Sequence, residues 1–187
     1  MGRTRTLAVL TAVLALACCP GCGGGGGPRS AAGRSPLPGA VAVAALSFVP
    51  PAGMARITPR QRGVALELSR GAVAADPGRR VPPPGVQVFQ EGRDLGGVAL
   101  RAELIEDMIK GGSPDARTTG RAVRVPGATE AAVLETTYPQ VPSKQLDVVI
   151  GTPSGPQYDI RYGGETSAYD EAAARRIIAT ARVSEAA

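Results

Sequence analysis

Along this chain the hydrophobic positions change spacing from every second residue to every third or fourth, and the change marks where strands give way to helices. The clearest alternation lies toward the end. Leu146, Val148 and Ile150 are separated by Asp147 and Val149, and beyond Thr152-Pro153-Ser154-Gly155 the residues Tyr158, Ile160 and Tyr162 oppose Gln157, Asp159 and Arg161. This is the signature of a β-hairpin. A two-residue loop at Pro153-Ser154 would set Ile150 against Gln157. A three-residue loop, Pro153 to Gly155, sets Ile150 against Tyr158, Val148 against Ile160 and Leu146 against Tyr162, so both apolar sets share a face. The second register is expected, with Pro153 presetting one φ and Gly155 supplying a positive one.

Gly163-Gly164 then breaks the alternation, and the period lengthens. Ser167 is expected to cap a helix with Asp170 at its third position, a carboxylate near the positive end of the helix dipole. At 100° per residue, Ala173, Ala174, Ile177, Ile178 and Ala181 fall on one arc, opposite Glu171, Arg175 and Arg182. Ile177 and Ile178, at roughly 1.5 to 3 kcal/mol each when buried, are expected to carry the docking of this helix on a sheet.

Earlier elements follow the same logic. Val41–Val49 is an apolar run that Pro50-Pro51 would stop, and Gly63–Arg70 alternates Val64, Leu66 and Leu68 with Ala65, Glu67 and Ser69. Residues 71–85, rich in Ala, Arg and Pro, read as a long loop, and Val86–Gln90 as a short strand containing Val88 and Phe89. From Gly97 to Lys110 the period is helical. Val98, Ala102, Ile105 and Ile109 share an arc flanked by Leu104 and Met108, opposite Glu103, Glu106, Asp107 and Lys110, and Gly111-Gly112 closes the helix. Glu103 and Asp107, four apart, have the spacing of an acid/base pair or a calcium site, but a solvated face with Glu106 supported by Lys110 accounts for them. Glu67, Glu135 and Asp147 are expected to point outward from strands. Thr118–Val125 and Glu130–Tyr138 flank the turn pair Pro126-Gly127 as a second hairpin. Segregated strands and helices imply an α+β fold: an antiparallel sheet packed by two main helices, in two layers or, better, as an α/β/α sandwich.

Phe48-Val49-Pro50-Pro51-Ala52-Gly53-Met54 resembles the "aromatic, x, x-Pro, x, Gly, Trp" opening of PsbP-like domains, a family that includes the LpqN-type lipoproteins of actinobacteria; Met54 stands where these domains usually carry tryptophan. The likeness extends over about Ala44 to Val183, including the strand, strand, helix finish that ends in Tyr169 to Thr180. It implies a PsbP-like α/β/α sandwich and a role in assembly or partner binding. It brings no catalytic residue with it.

The start of the chain reads as an address. Arg3 and Arg5 precede an apolar run, Leu7–Ala17, broken only by Thr11 and followed by Cys18, Cys19 and Cys22. This is a secretory signal, too short to span a bilayer as a mature helix. The three cysteines sit within five positions of one another and cannot staple a domain. The stretch resembles a bacterial lipoprotein signal, in which a cysteine after a small residue becomes the acylated N-terminus. The glycine run after Cys22 favours Cys22, with Cys18 and Cys19 as alternatives, and an ordinary secreted protein with incidental cysteines remains the other reading. Residues 1–22 are thus assigned to the signal and lipidation region, 23–43 to a flexible Gly/Pro/Ser linker and 44–187 to one folded domain. Gly21-Cys22-Gly23-Gly24-Gly25-Gly26 matches a dinucleotide-binding glycine pattern, but no strand precedes it and no helix follows.

Composition removes several functions. The formal net charge is +5, but Arg3 and Arg5 leave with the signal, and all but Lys110 and Lys144 of the 21 basic residues are arginine, the bias of a GC-rich genome. The cluster Arg56, Arg60, Arg62, Arg70, Arg79 and Arg80 could meet anionic head groups or cell-wall polymers, though solvated loops and edges explain it. With four Tyr, two Phe and no Trp, stacking platforms for nucleic acid are lacking. There is no histidine, which excludes Ser-His-Asp and Cys-His nucleophile systems and histidine-ligated metals.

The expectation is therefore a non-enzymatic module with no catalytic, cofactor-binding or metal residues. It would be held outside the cytoplasm on the cell membrane by its N-terminal lipid, and would contact an envelope protein or cell-wall polymer and no nucleic acid. Two alternatives stand beside it. One is a carrier of a small apolar ligand walled by Tyr158, Tyr162 and Phe89. The other is a carboxylate or serine hydrolase using the Gly151–Gly155 fragment, which lacks the spacing of a nucleophile elbow and any histidine base.

Overall fold

The computed structural model describes residues 37–70, 84–91, 96–153 and 155–184. The cysteines at 18, 19 and 22, the expected signal, the expected linker up to residue 36 and residues 71–83 of the expected loop lie outside them. Ten strands and two α-helices follow one another in the described residues: β1 (Val41–Val43), β2 (Leu46–Phe48), β3 (Ala55–Ile57), β4 (Val64–Ser69), β5 (Gly85–Glu91), α1 (Gly97–Gly112), β6 (Arg117–Ala122), β7 (Glu130–Tyr138), β8 (Ser143–Gly151), β9 (Gln157–Glu165), α2 (Glu171–Thr180) and β10 (Arg182–Val183). The fold is α+β. Seven strands form one antiparallel sheet in the order β3-β4-β5-β9-β8-β7-β6, and β1-β2-β10 form a small second sheet.

The β8–β9 pair has the expected register, with Leu146, Val148 and Ile150 opposite Tyr162, Ile160 and Tyr158. Its loop, Thr152 to Pro156, is longer than the three residues expected; Gly155 has the expected positive φ of 61°, and the Thr152 hydroxyl donates to the Pro156 carbonyl at 2.9 Å. These apolar residues join Leu66, Leu68, Val86 and Val88 on one face of the large sheet, which is covered by the small sheet and by Ala174 and Ile177 of α2. The opposite face carries α1, whose Val98, Ile105 and Ile109 pack on Leu134 and Val149. A helix therefore lies on each face of the sheet.

Several local expectations are corrected. Val41–Val49 is two strands joined at Ala44-Ala45, with Ala44 at a positive φ of 47°, so the folded region begins before the expected boundary at Ala44. Gly163-Gly164 lies inside β9: a Cβ on Gly164 would come within 2.8 Å of Pro84 Cα, and this close approach of backbones is what requires glycine. Asp170, not Ser167, caps α2, accepting from the Ala172 and Ala173 amides at 2.9 and 3.0 Å; Ser167 lies in a separate 3-10 turn, Thr166–Ala168. The helix ends at Thr180, and Arg182–Val183 pairs with β2 instead of continuing it. Met108 and Leu104, expected to flank the buried arc of α1, are 60% and 42% exposed.

Candidate functional site

The functional side chains stand on the face of the large sheet that carries α1. Strand register lines them up in rows across the sheet. One row reads Ser69, Gly85, Gly163, Gln145, Thr136, and the next reads Glu67, Gln87, Arg161, Asp147, Leu134, on β4, β5, β9, β8 and β7 in turn. Helix α1 covers the face over Val149 and over Leu134 at the end of the second row, while Ser69, Gly85, Gly163 and Gln145 of the first row and Glu67, Gln87 and Arg161 of the second border open space. Gly85 and Gly163 put no side chain into the uncovered part. The result is a cleft of about 410 Å³, bounded on one side by Ser113 after α1, Tyr138 at the end of β7 and Val141 beyond it, and on the other by Arg60 and Glu67.

Glu67 and Asp147, both expected to face solvent, are 2% and 0% exposed. Their burial is supported by partners. Arg60 donates from Nε and Nη2 to Glu67 Oε1 at 3.0 and 2.6 Å, and its backbone amide to Oε2 at 2.9 Å. Burial by itself would raise the Glu67 pKa, but the hydrogen bonds and charge of Arg60 hold it below the usual carboxylate value. Asp147 accepts from Arg161 Nε at 2.7 Å and from Gln145 Nε2 at 2.7 Å, and the Tyr138 hydroxyl donates to Gln145 at 3.3 Å. The guanidinium of Arg161 also lies 5.0 Å from the centre of the Phe89 ring. Glu135 points outward as expected, its side chain 55% exposed.

Beneath α1 the same polar face continues with Asp159. Arg161 is held by Asp147, and Arg101 of α1 by Glu91 at 3.1 Å, which leaves Asp159 as the one carboxylate of this group without a cation of its own. Its oxygens make no hydrogen bond among the described residues, and its closest ion-pair contact is Arg161 Nη2 at 3.7 Å. Burial first, and then the charge of Asp147, push its pKa up to about 8. A neutral Asp159 leaves the groups around it electrically balanced: Asp147 and Glu91 against Arg161 and Arg101. A carboxylic acid titrating near neutrality has the properties of a general acid. Asp159 is 2% exposed and does not line the cleft, so no bound molecule meets it there.

No known family profile and no curated protein matches this chain.

The other residues singled out in the sequence fall elsewhere. Tyr158 and Tyr162 are 1% exposed in the core on the opposite face, where their hydroxyls accept from the amides of Ala45 and Asp170 at 3.2 and 3.0 Å; they line no part of the cleft. Phe89 is buried under Arg161. Glu103 and Asp107 are exposed on the outer side of α1, and Glu106 pairs with Lys110 at 3.5 Å. Gly151–Gly155 spans the end of β8 and the β8–β9 loop; Ser154 lies outside the described residues. Of the arginine cluster, Arg60 pairs with Glu67 and Arg70 donates to the Ala52 carbonyl at 3.1 Å, while Arg79 and Arg80 are outside the described residues. Among the described residues no group of three His, Cys, Asp or Glu side chains could hold a metal ion, and no helix is long and apolar enough to cross a membrane.

The cleft residues Gln87, Gln145 and Tyr138 drew no notice in the sequence. The available signal was the repeated polar partner of each alternating strand, since Glu67, Gln87, Arg161 and Asp147 all occupy the non-core parity of their strands.

Proposed function

We propose that this protein is a non-catalytic binding module of the cell envelope, held outside the cytoplasm by a lipid on Cys22, and that it receives its partner in the cleft beside α1. The observation that carries this reading is that every charged group lining the cleft is held in an ion pair, Arg60 with Glu67, Arg161 with Asp147 behind it and Lys144 with Glu171. Groups fixed in this way present a rigid hydrogen-bonding surface, as recognition requires. They are poorly suited to exchanging protons or attacking a substrate, which needs a side chain free to change its charge. The layered α+β fold is compatible with the PsbP-like resemblance, whose implied role is partner binding. The lipid anchor rests on the sequence alone.

A photoreactive group placed at Ser143 on the cleft rim of the full chain tests the site, with the same group at Arg175 on the exposed side of α2 as the comparison. An envelope partner crosslinked from position 143 and not from 175 supports the reading; equal labelling, or none, rejects it. Replacing Cys22→Ala should release the protein from the membrane fraction, and continued lipid labelling of that variant would move the anchor to Cys18 or Cys19.

A further inference from the structure

We infer that the cleft takes a neutral, polyhydroxylated ligand, one or two sugar rings of a saccharide; this rests on reading the cleft as a binding site. The floor is the first ground. Between Ser69 on β4 and Gln145 on β8, Gly85 and Gly163 leave a strip of bare backbone about three strand spacings, or roughly 14 Å, from edge to edge. The volume of about 410 Å³ lies within the range of small-ligand sites, roughly 300 to 1,000 Å³.

Chemistry then removes the other ligand classes. An anion would meet arginines whose charge is already matched, Arg60 by Glu67 and Arg161 by Asp147, and would add a negative charge with no cation to balance it. Lys144 offers no substitute, since its ammonium turns away to Glu171 at 2.5 Å. An apolar molecule would cover the amides of Gln87 and Gln145 and the hydroxyl of Ser69 without returning their hydrogen bonds. An extended peptide has no strand edge to join, because β5 and β9 in the floor are paired on both sides. Sugar hydroxyls both donate and accept, which suits amide and hydroxyl side chains alike, and Tyr138 and Val141 on one wall offer apolar surface to the C–H face of a ring.

Such binding forms no new ion pair, so it is insensitive to salt. The test is calorimetric titration of the detergent-solubilised full chain with chitobiose, maltose and trehalose, beside co-sedimentation of the same protein with purified sacculi. The expected result is binding in at least one arm that high salt leaves unchanged, that Gln87→Ala and Tyr138→Ala each weaken about tenfold, and that Arg175→Ala retains. Titration by free sugars assigns the source to soluble saccharide, and sedimentation alone assigns it to wall polymer. Absence of binding in both arms, binding that fades with salt, or full affinity in Gln87→Ala overturns the inference. If crosslinking from position 143 captures a partner while no saccharide binds, the ligand class is wrong and the binding module stands; if both are blank, both fall.

Discussion

Replacing Asp159→Asn should stabilise the protein near neutral pH and remove most of its pH dependence there. Unfolded, the Asp159 carboxyl titrates at the ordinary value of 3.8; folded, it is pushed up to about 8 by burial and by Asp147. Between those values the native state holds one proton more than the unfolded chain. Stability therefore falls as pH rises, by about 1.4 kcal/mol per pH unit, is unaffected by this group below the unfolded value, and levels off above about 8. Taken over the whole interval this is about 6 kcal/mol, as large as the entire stability of many small domains. Water entry and relaxation around the ionised group reduce it to roughly 2 to 4 kcal/mol.

The chain has no histidine, so few other side chains titrate in this window. Glu67, with its pKa lowered, contributes in the opposite sense and only at acid pH, where its stabilisation is lost as pH falls through its folded pKa. Urea denaturation of both proteins from about pH 5 to 8 reads the effect directly. The wild type should lose stability steadily across the range. Asp159→Asn should be nearly flat and exceed the wild type by roughly 2 to 4 kcal/mol at the upper end. Equal slopes for the two proteins would refute the assignment of the buried proton to Asp159.

Two further substitutions probe the packing. Ile177→Asp places a charge where Ile177 is 0% exposed against the core under α2, and should cost more than about 4 kcal/mol or abolish folding; unchanged thermal stability would mean that α2 docks by another face. Gly127→Ala would bring a Cβ to 1.9 Å from the Val183 carbonyl oxygen at a φ of 81°, so the turn must part from β10. A loss of about 2 kcal/mol or more is expected in thermal denaturation, and a neutral effect would show that the turn and β10 are not in contact in solution.

The polar parity of the strands was visible in the sequence, but its burial was not. Asp147 alternates with Leu146 and Val148 just as a solvent-facing residue would, and Glu67 does the same between Leu66 and Leu68. What covers them is the side chains of their partners, Arg60 reaching to Glu67 from the preceding loop, and Arg161 of the neighbouring strand with Gln145 reaching to Asp147. Gly163-Gly164 read as a strand end because glycine weakens strands locally; its reason for being there, the approach of Pro84, comes from a residue far away in the chain. The Ala44-Ala45 turn carries none of the usual turn residues, so the split of Val41–Val49 into two strands left no local mark.

The sequence by itself determined the register of β8 on β9 and the inward face of α2, because burying one apolar set fixes both by simple periodicity. It also excluded histidine chemistry outright. Only the tertiary structure decided that α1 would leave part of the polar face open, that two glycines far apart in the chain would meet in one floor, and that Asp159 would be the carboxylate left without a cation of its own. Those outcomes depend on which strand lies beside which, and strand order is set by contacts between segments far apart in the chain that local spacing does not encode.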